Sequence, residues 1–215
     1  MAQRSLYDLI NGEFASGNPA LAQDAANPDA VVAKQRFVFD FAGKNNAQSN
    51  VWTSGGTGTT TIAADGLKIY SSSGTRYISF NNIRPFSKVG CSMIWNSARI
   101  GAGGSRYDGL VNTIGTYNRN TAHCFIHNGG MNFTTADNTS AFWTDTNDDG
   151  ASGIHVDMFT TYKIEQLAGS VLLYINGKLA ATRTSQLSTL DYQPFSNRFT
   201  GTGSTYMRYV EAWNH

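Results

Sequence analysis

The sequence predicts an all-β protein: a two-sheet antiparallel sandwich preceded by an extended N-terminal arm. Three observations carry that prediction. Gly, Ser, Thr and Asn make up about 38% of the chain, and these residues serve turns and exposed strand faces better than helix interiors. About ten short runs of strand character follow one another with turn signals between them. No long segment keeps the apolar period of a helix.

Residues 1–35 form the arm. They lack period-2 alternation and contain Pro19 and Pro28. One short helix is expected from Pro19 to Ala26, capped by Asn18 and stopped at Asn27-Pro28. The sandwich is expected over 36–215. It opens with Phe37, Phe39 and Phe41, which alternate with Val38 and Asp40 and so share one face. Thr53–Thr60 reads as a Gly/Thr-rich loop. Asp65-Gly66 then turns the chain into a strand where Leu67 and Ile69 share a face. In TRYISFNN, Ile78 and Phe80 oppose Tyr77 and Ser79. Further strands are expected at VGCSMIWN (89–96), GLVNTIG (109–115), AHCFIH (122–127), TTYKIEQLA (160–168), SVLLYI (170–175), KLAATR (178–183) and STYMRYVEAW (204–213). The best-specified turn is Asn176-Gly177 between two apolar runs, because a type I′ hairpin needs positive φ at both central residues.

The 16 Lys+Arg against 15 Asp+Glu leave a formal charge of +1 with no basic run, which excludes the electrostatic footprint of a nucleic-acid binder. No apolar stretch reaches membrane-spanning length. The opening residues MAQRSLYDLINGEF lack the apolar centre of a signal peptide, so Sec-type export is not expected. Cys91 and Cys124 each sit in an apolar run and read as buried thiols, with a single bridge between neighbouring strands as the alternative.

The run YKIEQLAGSVLLYINGKLAATRTSQL resembles the hairpin of the concanavalin-like, laminin-G-type jelly rolls. DGLKIYSSSGTRYISF, SKVGCSMIWN and the closing TYMRYVEAWN support the resemblance, which spans roughly residues 36–214. It implies a jelly-roll sandwich, an architecture that hosts lectins, hydrolases, adhesion modules and viral structural parts. Jelly-roll glucanases place their two carboxyl groups on one strand in a Glu-x-Asp-x-(x)-Glu spacing. Here Glu13, Glu165 and Glu211 are far apart and form no such triplet. Glu165 shares a strand face with Lys163 and reads as an exposed pair. No catalytic residues, and so no enzyme, are expected.

Two binding features remain. Asp145, Asn147 and Asp149, followed by Gly150, match the first half of an oxygen-ligand calcium loop, but Val156 stands where its closing Glu belongs. The same residues suit a plain tight turn. His123 and His127 lie four apart on a strand, about 13 Å along it, too far to share one ion. Trp52, Tyr107 and Trp143, with Tyr117 and Tyr192, lie in or beside polar loops and make a glycan-binding palette; the alternative is that the rings plug the ends of the sandwich. Trp95 and Trp213 are expected in the core.

The function expected from these readings is that of a non-enzymatic virion structural protein. A bacteriophage capsid decoration or fibre component would act by docking on capsid neighbours and by self-association, as a homo-oligomer and by expectation a trimer. It would be made in the host cytoplasm without an export signal. The alternative is a carbohydrate-binding, lectin-like receptor-binding module with glycans as partners. Neither reading involves nucleic acid or membrane.

Overall fold

The computed structural model describes residues 36–41, 53–79, 86–100, 105–111, 121–127, 130–135, 139–143, 158–185 and 187–215. The arm over residues 1–35 and its expected helix lie outside them. Fifteen strands are assigned among the described residues. They are β1 (Arg36–Asp40), β2 (Thr53–Gly56), β3 (Thr59–Ala63), β4 (Gly66–Ser71), β5 (Thr75–Ser79), β6 (Cys91–Ile100), β7 (Ser105–Val111) and β8 (Ala122–His127). β9 (Gly130–Thr135), β10 (Thr139–Trp143), β11 (Thr160–Leu167), β12 (Ser170–Ile175), β13 (Lys178–Arg183), β14 (Gln193–Thr200) and β15 (Gly203–Asn214) complete the set.

All named strand pairings are antiparallel, in two sheets. One sheet runs β13-β12-β11-β6-β15-β4-β3, with β1 also pairing β15; the other runs β10-β9-β8-β7-β14-β5-β2. The long β15 carries two neighbours on one side, β4 along its first half and β1 along its second. This is the all-β, two-sheet jelly-roll sandwich expected.

Alternation builds the core. In β11, Tyr162, Ile164 and Gln166 are buried while Thr161, Lys163 and Glu165 are half-exposed. Leu67, Ile69, Met93, Trp95, Leu173 and Val210 of the larger sheet meet Ile78, Leu110, Cys124 and Phe133 of the smaller one. At one end of the core, Tyr192 is fully buried and donates its hydroxyl to Gln166 Oε1 at 2.8 Å. Tyr192 is therefore a core residue, not a loop aromatic open to a ligand. Phe41 is buried, and β1 sets Phe37 and Phe39 in register with the buried Ala212 and Val210. The Asn176-Gly177 turn has the positive φ expected at both residues, 47° and 79°.

Four expectations change. Thr53–Thr60 is not a loop: it contributes β2 and the start of β3. Its Gly/Thr composition hid two strands that take their stability from their partners β5 and β4. The strand expected at 109–115 runs instead over Ser105–Val111. β9, β10 and β14 were not anticipated, and β14 contains Pro194 where its register with β7 shifts between Gln193 and Ser196. A proline cannot donate to the ladder, so a bulge is where a strand tolerates one. Trp213 is half-buried on the outer face of the larger sheet, beside the Lys163 ammonium at 5.9 Å from its ring centroid, while Trp95 is fully buried.

Both cysteines are buried and unbridged. Burial, with Asp191 adding, pushes the Cys91 thiol up to about 12, and burial holds Cys124 well above its ordinary value. Because the thiolate is the reactive form, an aromatic disulfide reagent is expected to leave the native protein untouched and to titrate both of its cysteines after unfolding. Reaction of either thiol at native rates comparable to free cysteine would contradict this burial.

Candidate functional site

The outer face of the smaller sheet brings together the residues with binding chemistry. Cross-strand register sets Gly55, Tyr77, Arg198, Tyr107, Phe125, Asn132 and Phe142 in one row across all seven strands of that sheet. Tyr77, Tyr107 and Asn132 are half-buried. The Tyr77 ring lies across Gly55, where any Cβ would strike its hydroxyl end; an aromatic laid over a cross-strand glycine is a recurrent way of filling an edge. A second row holds the positions of Ser79, Ser196, Gly109, His123, Thr134 and Ser140. Gly109 and Thr134 there are buried. Where burial is described, this face runs from the buried Gly109 and Thr134 to the half-buried Tyr77, Tyr107 and Asn132.

The opposite side of the same strands is anchored by a buried ion pair. Arg106 and Asp108 flank Tyr107 on β7 and point into the sandwich, both side chains wholly buried, with Arg106 Nε 2.7 Å from Asp108 Oδ2. The same oxygen accepts from Trp95 Nε1 at 3.0 Å and Ser97 Oγ at 3.2 Å, both on β6 of the larger sheet. Tyr162 stacks on Trp95 with ring centroids 5.3 Å apart, and the Arg106 guanidinium lies 5.4 Å from the Tyr162 ring centre. Burial, the largest influence, opposes the Arg106 charge, but Asp108, Tyr162 and Cys124 together outweigh it and hold the guanidinium above its ordinary pKa. Burial likewise raises the Tyr162 hydroxyl. This carboxylate ties the two sheets together directly behind Tyr107.

The residues singled out from sequence divide as follows. Tyr107 stands in the central row. Trp143 ends β10, in register with Met131, Ile126 and Arg106, while its neighbour Phe142 occupies the row of Tyr107. Trp52, Tyr117 and the loop holding Asp145, Asn147 and Asp149 lie outside the described residues. Among the described residues, no group of three or more His, Cys, Asp or Glu side chains converges as a metal site. His123 and His127 sit on one strand, β8, as expected. Glu165 pairs with Lys163 at 3.4 Å on the outer face of the larger sheet. Tyr77, Arg198, Phe125, Asn132 and Phe142 were missed. The opposition of Tyr77 to Ile78, and the shared face of His123, Phe125 and His127, were the legible signals for two of them.

No family model and no curated protein sequence matches the chain. Solved structures do match its fold. The apo Crh5 transglycosylase superposes with a TM-score of 0.64 at 12% identity, covering 85% of each chain; it has also been solved in complex with NAG. A Bacillus licheniformis β-glucanase matches at TM-score 0.59 and 14% identity, over 84% of this chain and 98% of its own. The exoplasmic/lumenal domain of VIP36, in its Ca2+/Man3GlcNAc-bound form, matches at 0.54 and 12%, over 77% of this chain and 84% of its own.

These neighbours correct the expectation that the chain is not an enzyme: the fold is one that a transglycosylase and a glucanase use, beside a lectin-type domain. None of the three is described as a phage or capsid protein, so the expected virion role draws nothing from them. The chain has the concanavalin- and galectin-like β-sandwich fold that glycosidases and lectins share.

Proposed function

We propose that this chain is a carbohydrate-binding jelly-roll protein whose ligand lies on the outer face of the smaller sheet. The observation that carries the reading is the single row of Tyr77, Arg198, Tyr107, Phe125, Asn132 and Phe142 across that face. Aromatic rings offer flat apolar area with a polar edge, which suits the C–H faces of a sugar ring, and amide and guanidinium groups supply directional hydrogen bonds to its hydroxyls. Trp143 stands in the register of the inward-pointing Arg106 and not in this row, so the reading rests on the row itself. The near-neutral surface suits an uncharged glycan, which needs no desolvation of ion pairs. The proposal concerns the binding step, which glycosidases and lectins of this fold have in common. Calcium enters it through Asp145, Asn147 and Asp149, and titration in Ca2+ and in EDTA reads that contribution.

The test is a glycan array followed by titration calorimetry of the best ligand against wild type, Tyr107→Ala and Tyr77→Ala. Loss of one stacking ring is expected to weaken binding about tenfold or more, taking the loss of about 1.5 kcal/mol found for aromatic contacts. Folded-state spectra should be unchanged. Equal affinity in both variants would remove the site from this face, and an array with no bound glycan would remove the reading altogether.

A further inference from the structure

The larger sheet ends in β3, Thr59–Ala63, which among the described residues has a partner, β4, on one side only. Half of the N–H and C=O groups of such a strand point away from the sheet, a template for another strand. Proteins that stay monomeric blunt these edges with charge, proline or a bulge. The other edges of this sheet show such devices. β13 starts at Lys178, ends at Arg183 and pairs with a register shift, and β1 starts at Arg36 and ends at Asp40. β3 has none: its sequence is TTTIA, its pairing with β4 is regular, and four of its five side chains are exposed.

We infer that β3 is where two copies of this chain pair, antiparallel, about a two-fold axis at Thr61. Read against itself, the strand is self-complementary. Thr61 meets Thr61, Thr59 meets Ala63 and Thr60 meets Ile62, so no like charges oppose one another. Ile62 pairs Leu67 of the core, yet is 37% exposed because the sheet stops there. In the pair it is covered by Thr60 of the second copy, and each core gains a lid. The edge is also held in place beforehand. Arg76 donates from Nε to Thr60 Oγ1 at 2.9 Å, from Nη1 to the Gly56 carbonyl at 3.0 Å and from Nη2 to Ser54 Oγ at 2.8 Å, clipping β3 to β2 of the other sheet. An edge ordered before contact loses less entropy on pairing. At a net charge of +1, two copies do not repel at long range. The contact leaves the outer face of the smaller sheet uncovered in both copies, so this inference and the glycan-binding reading stand or fall separately.

A five-residue edge falls short of the roughly 800 Å2 per partner of tight complexes, so the dimer is expected to dissociate on dilution. Sedimentation equilibrium of the full chain should show a mass rising reversibly from 23.3 kDa toward twice that value with concentration. Thr61→Lys, which sets two ammonium groups against each other at the axis, should hold the mass at one chain with an unchanged circular dichroism spectrum. Thr61→Cys adds a reactive thiol to a chain whose own two are buried; mild oxidation should link it to its counterpart, while Leu179→Cys on β13 should remain unlinked. A wild type of one-chain mass at the highest concentration reached overturns the inference. So does an assembly of any size that survives Thr61→Lys, or a Thr61→Cys protein that links no faster than Leu179→Cys.

Discussion

Asp108→Ala is expected to destabilise the protein by about 3–5 kcal/mol, the cost of leaving a buried charge without its partner. The substitution leaves the Arg106 guanidinium without its ion-pair partner and strands two donors, Trp95 Nε1 and Ser97 Oγ, which both bond Asp108 Oδ2. For a domain of this size that corresponds to a fall of about 10 °C or more in melting temperature, which differential scanning calorimetry reads directly. Asp108→Asn keeps the shape and loses the charge, so it should fall between alanine and wild type. Arg106→Met combined with Asp108→Leu removes both charges together and should recover much of the loss, because desolvating the pair offsets most of its attraction. A single Asp108→Ala that costs less than about 1 kcal/mol would mean that the pair contributes little to the link between the sheets.

Gly66→Ala should be the next most damaging change. Gly66 opens β4 with φ of 117°, a conformation that suits glycine, and a Cβ there would run into the Met207 carbonyl oxygen of β15. The obstacle is backbone of a central strand and cannot swing aside like the end of a side chain. Strain of this kind costs about 1–3 kcal/mol, and the close contact adds to it by prising β4 from β15. Urea denaturation should show a lower midpoint with an unchanged slope. An unaltered midpoint would place the strain elsewhere in the turn. By contrast, Ala at Gly169 meets nothing within 4 Å and should be tolerated.

The strands with strong alternation were legible in advance. TTYKIEQL, SVLLYI and the closing strand each carry large apolar side chains at every second position, and their buried faces fall as that pattern dictates. The Asn176-Gly177 turn was legible for a related reason: its residues tolerate the φ that the turn imposes. TSGG and TTTIA carried no such pattern, since edge strands take their shape from their neighbours. Of the two readings open for Tyr192, the fold chose the plug, because a ring in a polar loop looks the same whether it reaches outward or folds back onto Gln166. Arg106 and Asp108 gave no warning either. On composition they belong at the surface; in the fold each is the other's ion-pair partner, and Trp95 and Ser97 on the facing sheet donate to Asp108.

The amino-acid sequence by itself determined the class of fold and the two faces of its best-patterned strands, because a period of two is a local property of the chain. It also set the near-neutral, hydroxyl- and amide-rich surface. The tertiary structure alone decided which strands stand side by side. The row proposed to bind takes one position from each of seven strands spread between Gly55 and Arg198, and the edge at β3 exists only because the sheet order ends there. Both depend on contacts between residues far apart in the chain, and such contacts are written in no single stretch of it.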